Sequence, residues 1–473
     1  MWQKNSVVMN IDFNITASYL VITIIPGILF AMNTNTPREY IIGGKDLPTF
    51  FLFATITACC IGGGSTISHA AEVMKYGIIV TYSGFGQVIS KIVTANIIVP
   101  QMERFLEKLT VGEILEETYG TLARIITGIC GSLFSAAVLA AQIKALSFII
   151  TYFLLVPNML AIIGSCAVFI LYSALGGVRA ITINNVLQLI TFAITVPMVL
   201  NVGLFRVGGG SGLMYKVPAN YLDVFADSRQ LTRYAFIFLL FCIPCFDPAI
   251  MQRVLMGKDI KQIRTSFNLS ALFDLPFYLI TGLIGLIVVA LASNVTPNQG
   301  FLYLIDNILP AGIKGLAVSG LLAVVMSTAD SYLNVTSAYI AHDIVRPIKI
   351  LSDKEELSLM RWVTVLTGSF AVVMALAFES IYELVLFSYN FWIPIIVVPL
   401  LMVILGYDCG KLPFYTSAFA GVTTFVFWDV VYKLDLITGI DSVIPNLLAS
   451  FVVFIFTWYR TKPASVVNIL VIK

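Results

Sequence analysis

Ser327, Thr328, Asp330, Ser331 and Asn334 stand close together in the otherwise apolar block Ser319–Asn334. On a helix, Ser327, Ser331 and Asn334 share one face by their i, i+4, i+7 spacing, with Thr328 beside them. Hydroxyl and carbonyl oxygens are hard ligands for alkali cations. A site with few formal charges also holds its ion loosely enough to let it go. A single hydroxyl would be explained by helix-to-helix hydrogen bonding alone. A run that includes a carboxylate is not, because an Asp at the centre of a bilayer costs about 2.5–3.5 kcal/mol. The run therefore reads as a cation or proton site, with sodium bound through the hydroxyls or a proton carried by Asp330.

A second stretch supplies what such a site needs. Gly62, Gly63 and Gly64 interrupt the long apolar segment that follows Pro48. Each glycine costs a helix about 1 kcal/mol relative to Ala. Backbone groups freed inside a bilayer must find partners in protein, water or an ion. An unwound helix offers bare carbonyls to a cation and half-helix ends to a solute. Three glycines also permit close helix packing, and the stretch alone leaves both readings open.

Two lysines, Lys91 and Lys144, fall well inside apolar blocks. Lys144 could attract a solute carboxylate, snorkel, or pair with Asp330, Asp247 or Asp274. It tilts the expected solute toward an amino acid or organic acid, though pockets of this kind also bind sugars and vitamins.

These residues need a membrane scaffold to position them, and the composition provides one. The 473 residues are 59% hydrophobic and 11% charged, against about 25% charged in soluble domains. The chain is therefore an integral membrane protein in contact with the lipid bilayer. A net charge of +2 gives no case for nucleic acid. Seven cysteines and two histidines show no metal-ligand spacing. The N-terminus lacks the pattern of a cleavable signal, so its first apolar block is expected to stay as a helix.

Apolar blocks of roughly 20 residues give about thirteen spans. They lie at 15–33, 49–69, 76–99, 121–152, 156–175, 182–205, 231–251, 268–293, 311–343, 360–379, 382–405, 412–431 and 441–459. With the N-terminus outside and the C-terminus cytoplasmic, basic residues favour the inner loops by roughly two to one. A prokaryotic-type inner membrane is the expected location. Setting the first span aside, the next ten divide five and five, and the first member of each half is broken. The first break is Gly62–Gly64. The second is Ile243-Pro-Cys-Phe-Asp-Pro248, where two prolines disrupt helical hydrogen bonds. Matching breaks point to an inverted-repeat transporter with its site at the midplane. The expected organisation is an N-terminal helix and hinge (1–48), a first repeat (49–205), an external loop (206–230), a second repeat (231–405) and two further helices with a short basic tail (406–473).

Four segments, in order, resemble the sodium:solute symporter family, which includes proline, pantothenate, sialic acid and sodium/sugar transporters. Tyr40–Pro48 resembles the hinge before the first core helix, and Gly176–Gln188 the lead into the fifth. Gln252–Asp259 resembles the loop after the sixth, and Ser319–Ser331 the eighth core helix. The resemblance covers essentially the whole chain. It implies an all-α, leucine-transporter-like 5+5 inverted repeat working by alternating access. It also implies a sodium site made of the backbone carbonyls of Ala58, Ile61 and Val324 with the hydroxyls of Ser327 and Thr328. The implied solute pocket takes Ser65, Thr66 and His69, with Gln142 from the third core helix and Tyr389, Asn390 and Trp392 from the tenth. Many members carry Asp where this chain has Asn185, a position tied to a second sodium or a proton. Asp330, with Ser331, could supply the missing charge. The departure implies one Na⁺ per solute.

The sequence thus reads as a sodium-coupled importer of a small polar organic solute, with Na⁺ as coupling ion and no obligatory protein partner evident. Its rivals are a proton-coupled symporter using Asp330 and a transporter-shaped solute sensor. An enzyme is not expected, since no nucleophile–base pair, metal cluster or phosphate loop falls in a water-facing segment.

Overall fold

The computed structural model describes residues 6–31, 34–154, 157–292, 294–378, 380–431, 434 and 441–461. The start of the polar hinge at Asn33 and the basic tail beyond Thr461 lie outside them. Among the described residues the chain is helical, with no strand.

The apolar blocks become helices where they are expected. The first five are α1 (Ser6–Ala31), α2 (Pro37–Ile41), α3 (Thr49–Cys60), α4 (His69–Tyr76) and α5 (Ile79–Val93). Next come α6 (Val111–Tyr119), α7 (Thr121–Leu154), α8 (Asn158–Val207), α9 (Gly209–Lys216) and α10 (Ala219–Leu222). The second half opens with α11 (Ser228–Phe241), α12 (Pro248–Met256), α13 (Ile260–Leu291), α14 (Pro297–Ile308) and α15 (Ile313–Ala338). It closes with α16 (Asp353–Ala377), α17 (Ile381–Trp392), α18 (Val398–Ile404), α19 (Leu412–Phe425) and α20 (Val443–Thr461). Helix overlaps every expected span. Among the described residues, seven helices are long and apolar enough to cross a membrane on their own, and the bent pair around Gly62–Gly64 would make an eighth.

Polar signals set the helix boundaries. Asp259 accepts from the Gln262 amide at 2.7 Å to start α13, and Ser352 with Glu355 closes a capping box on α16. The expected spans 156–175 and 182–205 are two helical stretches of α8 that meet at a kink at Gly177, where the backbone is not helical. Its φ of 60° is open to glycine, and a Cβ there would meet the Tyr40 ring at 3.1 Å.

The core sits around two long helices. The spans Thr121–Phe153 and Ile313–Val345 are 83% and 89% buried, against 22% for Val443–Thr461. The span that carries the Ser327–Asn334 polar cluster is thus the most deeply enclosed, and its buried polar atoms need a protein partner or an ion.

Candidate functional site

The chain breaks where the glycines stand. The helices before and after Gly62–Gly64 meet at 57°, and α3 ends as the Ile61 amide bonds the Thr57 carbonyl at 3.0 Å. The break is stitched locally. The Gly62 amide donates to Ser65 Oγ at 3.0 Å, Thr66 Oγ1 donates to the Gly62 carbonyl at 2.8 Å, and the Gly63 amide donates to Gln142 Oε1 at 2.8 Å. The packing role of the glycines holds as well. A Cβ on Gly62 would lie 2.7 Å from Thr328 Oγ1 and 2.9 Å from Gln142 Oε1, and one on Gly63 2.5 Å from the Ala145 Cβ. Break and close approach are one device here.

The carbonyls released by that break face α15. Ser327 Oγ sits 2.8 Å from the Ala58 carbonyl and 2.9 Å from that of Val324. Thr328 Oγ1 lies 3.4, 3.3 and 3.2 Å from the carbonyls of Ala58, Cys59 and Ile61. Ser327 and Thr328 are buried. All five expected sodium ligands therefore converge, and Cys59 adds a carbonyl that the sequence reading missed. Two hydroxyl hydrogens cannot satisfy the three carbonyls of Ala58, Cys59 and Ile61 at the end of α3 at once, whereas a cation among them could. The donor set is hard oxygen without formal charge, which suits Na⁺ and loose binding.

The neighbouring polar residues have other duties. Ser331 Oγ donates to the Ser327 carbonyl at 2.9 Å and accepts from Arg253 Nη2 at 2.6 Å. Arg253, expected in an inner loop, is fully buried in α12 and also donates to Gln252 Oε1 at 2.6 Å. Asn185 Nδ2 donates to Thr55 Oγ1 at 2.7 Å, which fixes α8 to α3. Asp330 is fully buried on α15.

A cavity of about 170 Å³ lies between the two broken segments. Ser65, His69, Gln142, Tyr389 and Trp392 line it, as the sequence reading expected. Thr66, Lys144 and Asn390 do not. Thr66 is turned back onto the break, and Asn390 Oδ1 accepts from Asn446 Nδ2 at 2.7 Å on α20. Lys144 Nζ donates to the Ala375 carbonyl at 3.1 Å and to that of Phe378, at the end of α16. Lys91 pairs with Asp274 at 2.5 Å and donates to Ser270 Oγ at 2.7 Å.

The second break, Cys242–Asp247, forms the opposite wall. Thr94 Oγ1 accepts from the Cys245 amide at 2.7 Å, and Ser90 Oγ donates to the Ile243 carbonyl. Trp392 Nε1 donates to the Phe246 carbonyl at 2.7 Å. Asp247 caps α12, accepting from the amides of Ala249 at 2.8 Å and Ile250 at 3.2 Å, and takes the Tyr332 hydroxyl at 2.6 Å.

One end of the cavity's scaffold is tied shut. Arg38 pairs with Glu107 at 2.6 Å, and Arg179 with Asp46 at 2.9 Å. Gln252 Nε2 donates to the Ile41 carbonyl at 2.8 Å, and Gln262 Nε2 to that of Leu47 at 2.7 Å. Beside this hinge, His342 bridges Glu113 at 2.8 Å and Glu356 at 2.6 Å, and Arg124 meets Asp343 at 3.0 Å.

Two helices broken over one cavity, with a bare-carbonyl site at the first break, define an inverted-repeat membrane transporter of leucine-transporter-like fold. Structural likeness agrees. A Na⁺-coupled sialic acid symporter, solved substrate-bound and outward-open, superposes with a TM-score of 0.77 at 17% identity, over 96% of this chain and 98% of that one. Mhp1, a nucleobase-cation-symport-1 transporter solved closed with bromovinylhydantoin bound, gives 0.58 at 12% identity, over 90% and 95%. The profile of the sodium:solute symporter family matches residues 40–408, and the chain belongs to that family. The osmoregulated proline transporter of Bacillus subtilis is 21% identical over 94% of both chains. The human high affinity choline transporter 1 is 26% identical over 73% of this chain and 63% of its own length.

Proposed function

We propose that the protein is a sodium-coupled importer that carries one Na⁺ with each molecule of a small polar organic solute by alternating access. The observation that carries this reading is the meeting of Ser327 and Thr328 with the carbonyls of Ala58, Cys59, Ile61 and Val324, which belong to two different helices. An ion there ties α3 to α15 and favours the state in which the cavity between the two breaks accepts solute. By linkage, solute then binds more tightly in sodium. One charge moving through 100 mV supplies about 2.3 kcal/mol, roughly fifty-fold accumulation, before any sodium gradient is counted.

The orientation proposed is N-terminus outside. Arg38, Lys45, Arg124, Arg179 and Arg346 gather at the hinge end of the molecule, each on an acidic partner, as a cytoplasmic face requires. A prokaryotic-type inner membrane fits that reading.

Thermal stability in detergent tests the ion. A ligand that binds only the folded protein raises its melting temperature by mass action. Sodium chloride should stabilise the wild type relative to potassium chloride, and Ser327→Ala/Thr328→Ala should remove the difference. A melting temperature that ignores sodium but follows pH would replace this reading with proton coupling through Asp330.

A further inference from the structure

Among the described residues, the cavity between the breaks is lined by one carboxylate and one imidazole, that of His69, whose Nδ1 meets Thr281 Oγ1 at 2.7 Å. Asp247 is the acid among its walls, and no lysine or arginine lines it among the described residues. The buried bases of the same core are committed elsewhere. Lys91 is on Asp274, Lys144 on the end of α16, and Arg253 on Gln252 and Ser331. Two half-helix amides at each break are already engaged, and the Gly62 amide is on Ser65 Oγ. Gln142 accepts from Gly63, and Asp247 itself accepts from Ala249 and Ile250.

Asp247 is held by two amides and a phenol, and no cation is among these partners. Such dipoles keep a carboxylate in place without neutralising it. Asp247 is half-buried, and the Arg253 charge that acts on it makes no direct ion pair with it; a positive charge arriving with the solute would pair with it directly.

An aromatic wall continues from the same carboxylate. Tyr332, whose hydroxyl bonds Asp247, has its ring 6.1 Å from that of Phe134. Phe134 in turn lies 5.8 Å from Tyr389 and 6.3 Å from Trp392. Trp392 is anchored on the carbonyl of Phe246, the residue before Asp247, so wall and carboxylate form one assembly. Ring faces attract cations, and most strongly where water is excluded.

We infer that the solute is recognised through a positively charged nitrogen, an amine or quaternary ammonium, held between Asp247 and the wall of Phe134, Tyr332, Tyr389 and Trp392. This rests on the reading that the cavity is the transport site, and it replaces the carboxylate-bearing solute that Lys144 suggested. The volume, about 170 Å³, is close to that of a dry engineered cavity of ~150 Å³ that admits benzene. The cation is accordingly small.

The test uses the full-length protein in detergent, melted in sodium chloride and in potassium chloride. The probes are choline, tetramethylammonium, glycine betaine, lactate and myo-inositol. Stabilisation by sodium alone, without any probe, reports the ion site and stands or falls separately. In sodium, the probes with a positive nitrogen should raise the melting temperature, and lactate and inositol should not. Asp247→Asn keeps a side-chain oxygen for the Ala249 and Ile250 amides and so keeps the cap. It should retain the sodium response while weakening the nitrogen-bearing probes by roughly a hundred-fold, the loss expected when one side of a buried charge contact is removed. Three results overturn the inference: no response to any positive-nitrogen probe, a lactate or inositol response as large as theirs, or an unchanged response in Asp247→Asn.

Discussion

Arg253 Nη2 donates to Ser331 Oγ at 2.6 Å, one helical turn beyond Ser327. The guanidinium is fully buried and carries a fixed positive charge. A second cation using the Ser331 hydroxyl would have to displace it or sit against it. One site gives a Hill coefficient of about 1 for sodium, whether read from melting temperature or from uptake. A slope approaching about 2 would show a second site and return Asp330, Ser331 and Asn185 to the ion count.

Gly62→Ala should damage the ion site more than Gly64→Ala. A Cβ at 62 comes within 2.7 Å of Thr328 Oγ1, whereas the nearest atom at 64 is Val385 Cγ2 at 3.5 Å. Overpacking of the first kind costs about 1–3 kcal/mol, and here it falls on Thr328, a proposed sodium ligand. Gly62→Ala should lose sodium stabilisation. Gly64→Ala should keep it. Equal behaviour of the two variants would mean that the glycines serve flexibility rather than contact.

Lys91 and Asp274 are predicted to be structural. Both are buried, 2.5 Å apart, and the Ser270 hydroxyl completes the lysine's partners. Breaking such a pair from one side costs about 3–5 kcal/mol, while replacing both members with apolar residues is often neutral. Lys91→Met and Asp274→Leu should each lower the melting temperature sharply, and the double variant should recover most of the loss with its sodium response intact. A double variant as unstable as the singles would point to a functional charge instead.

The network beside the hinge predicts a pH dependence. Burial would raise Glu113, but hydrogen bonding and charge from His342 and Arg124, with the Leu109 amide, outweigh it and hold the carboxyl down to about 2 from its ordinary 4.5. A depressed carboxylate contributes stability that is complete above the unfolded value and is lost as pH falls through the folded one. Between pH about 4.5 and about 2, the wild type should therefore lose melting temperature more steeply than Glu113→Gln. Parallel slopes would show that the bridge to His342 contributes nothing to stability.

The two segments that meet at the proposed sodium site were legible because they announce themselves locally, whereas the ligand atoms came from the family resemblance. Three glycines in an apolar run and a Ser-Thr pair beside an Asp are rare in membrane helices for stated energetic reasons. The Cys59 carbonyl was not legible, since every residue has a carbonyl and only the fold selects which one turns inward. The contact of Lys144 with the carbonyl end of α16, more than two hundred positions away, was not legible either, because nothing beside Lys144 signals that end. Arg253 read as a loop residue because it adjoins a basic loop, yet the fold draws it inside to Ser331. Spans 156–175 and 182–205 were each visible by apolarity. The kink that divides them depends on the positive φ of Gly177, which apolarity does not encode.

The most direct test of the sodium site is equilibrium binding of radioactive sodium to the purified protein, wild type beside Ser327→Ala/Thr328→Ala, with potassium as competitor. The account predicts saturable binding of one ion per chain in the wild type, untouched by potassium and absent from the double variant. Equal binding in both proteins, or none in a wild type that still transports solute, would contradict it.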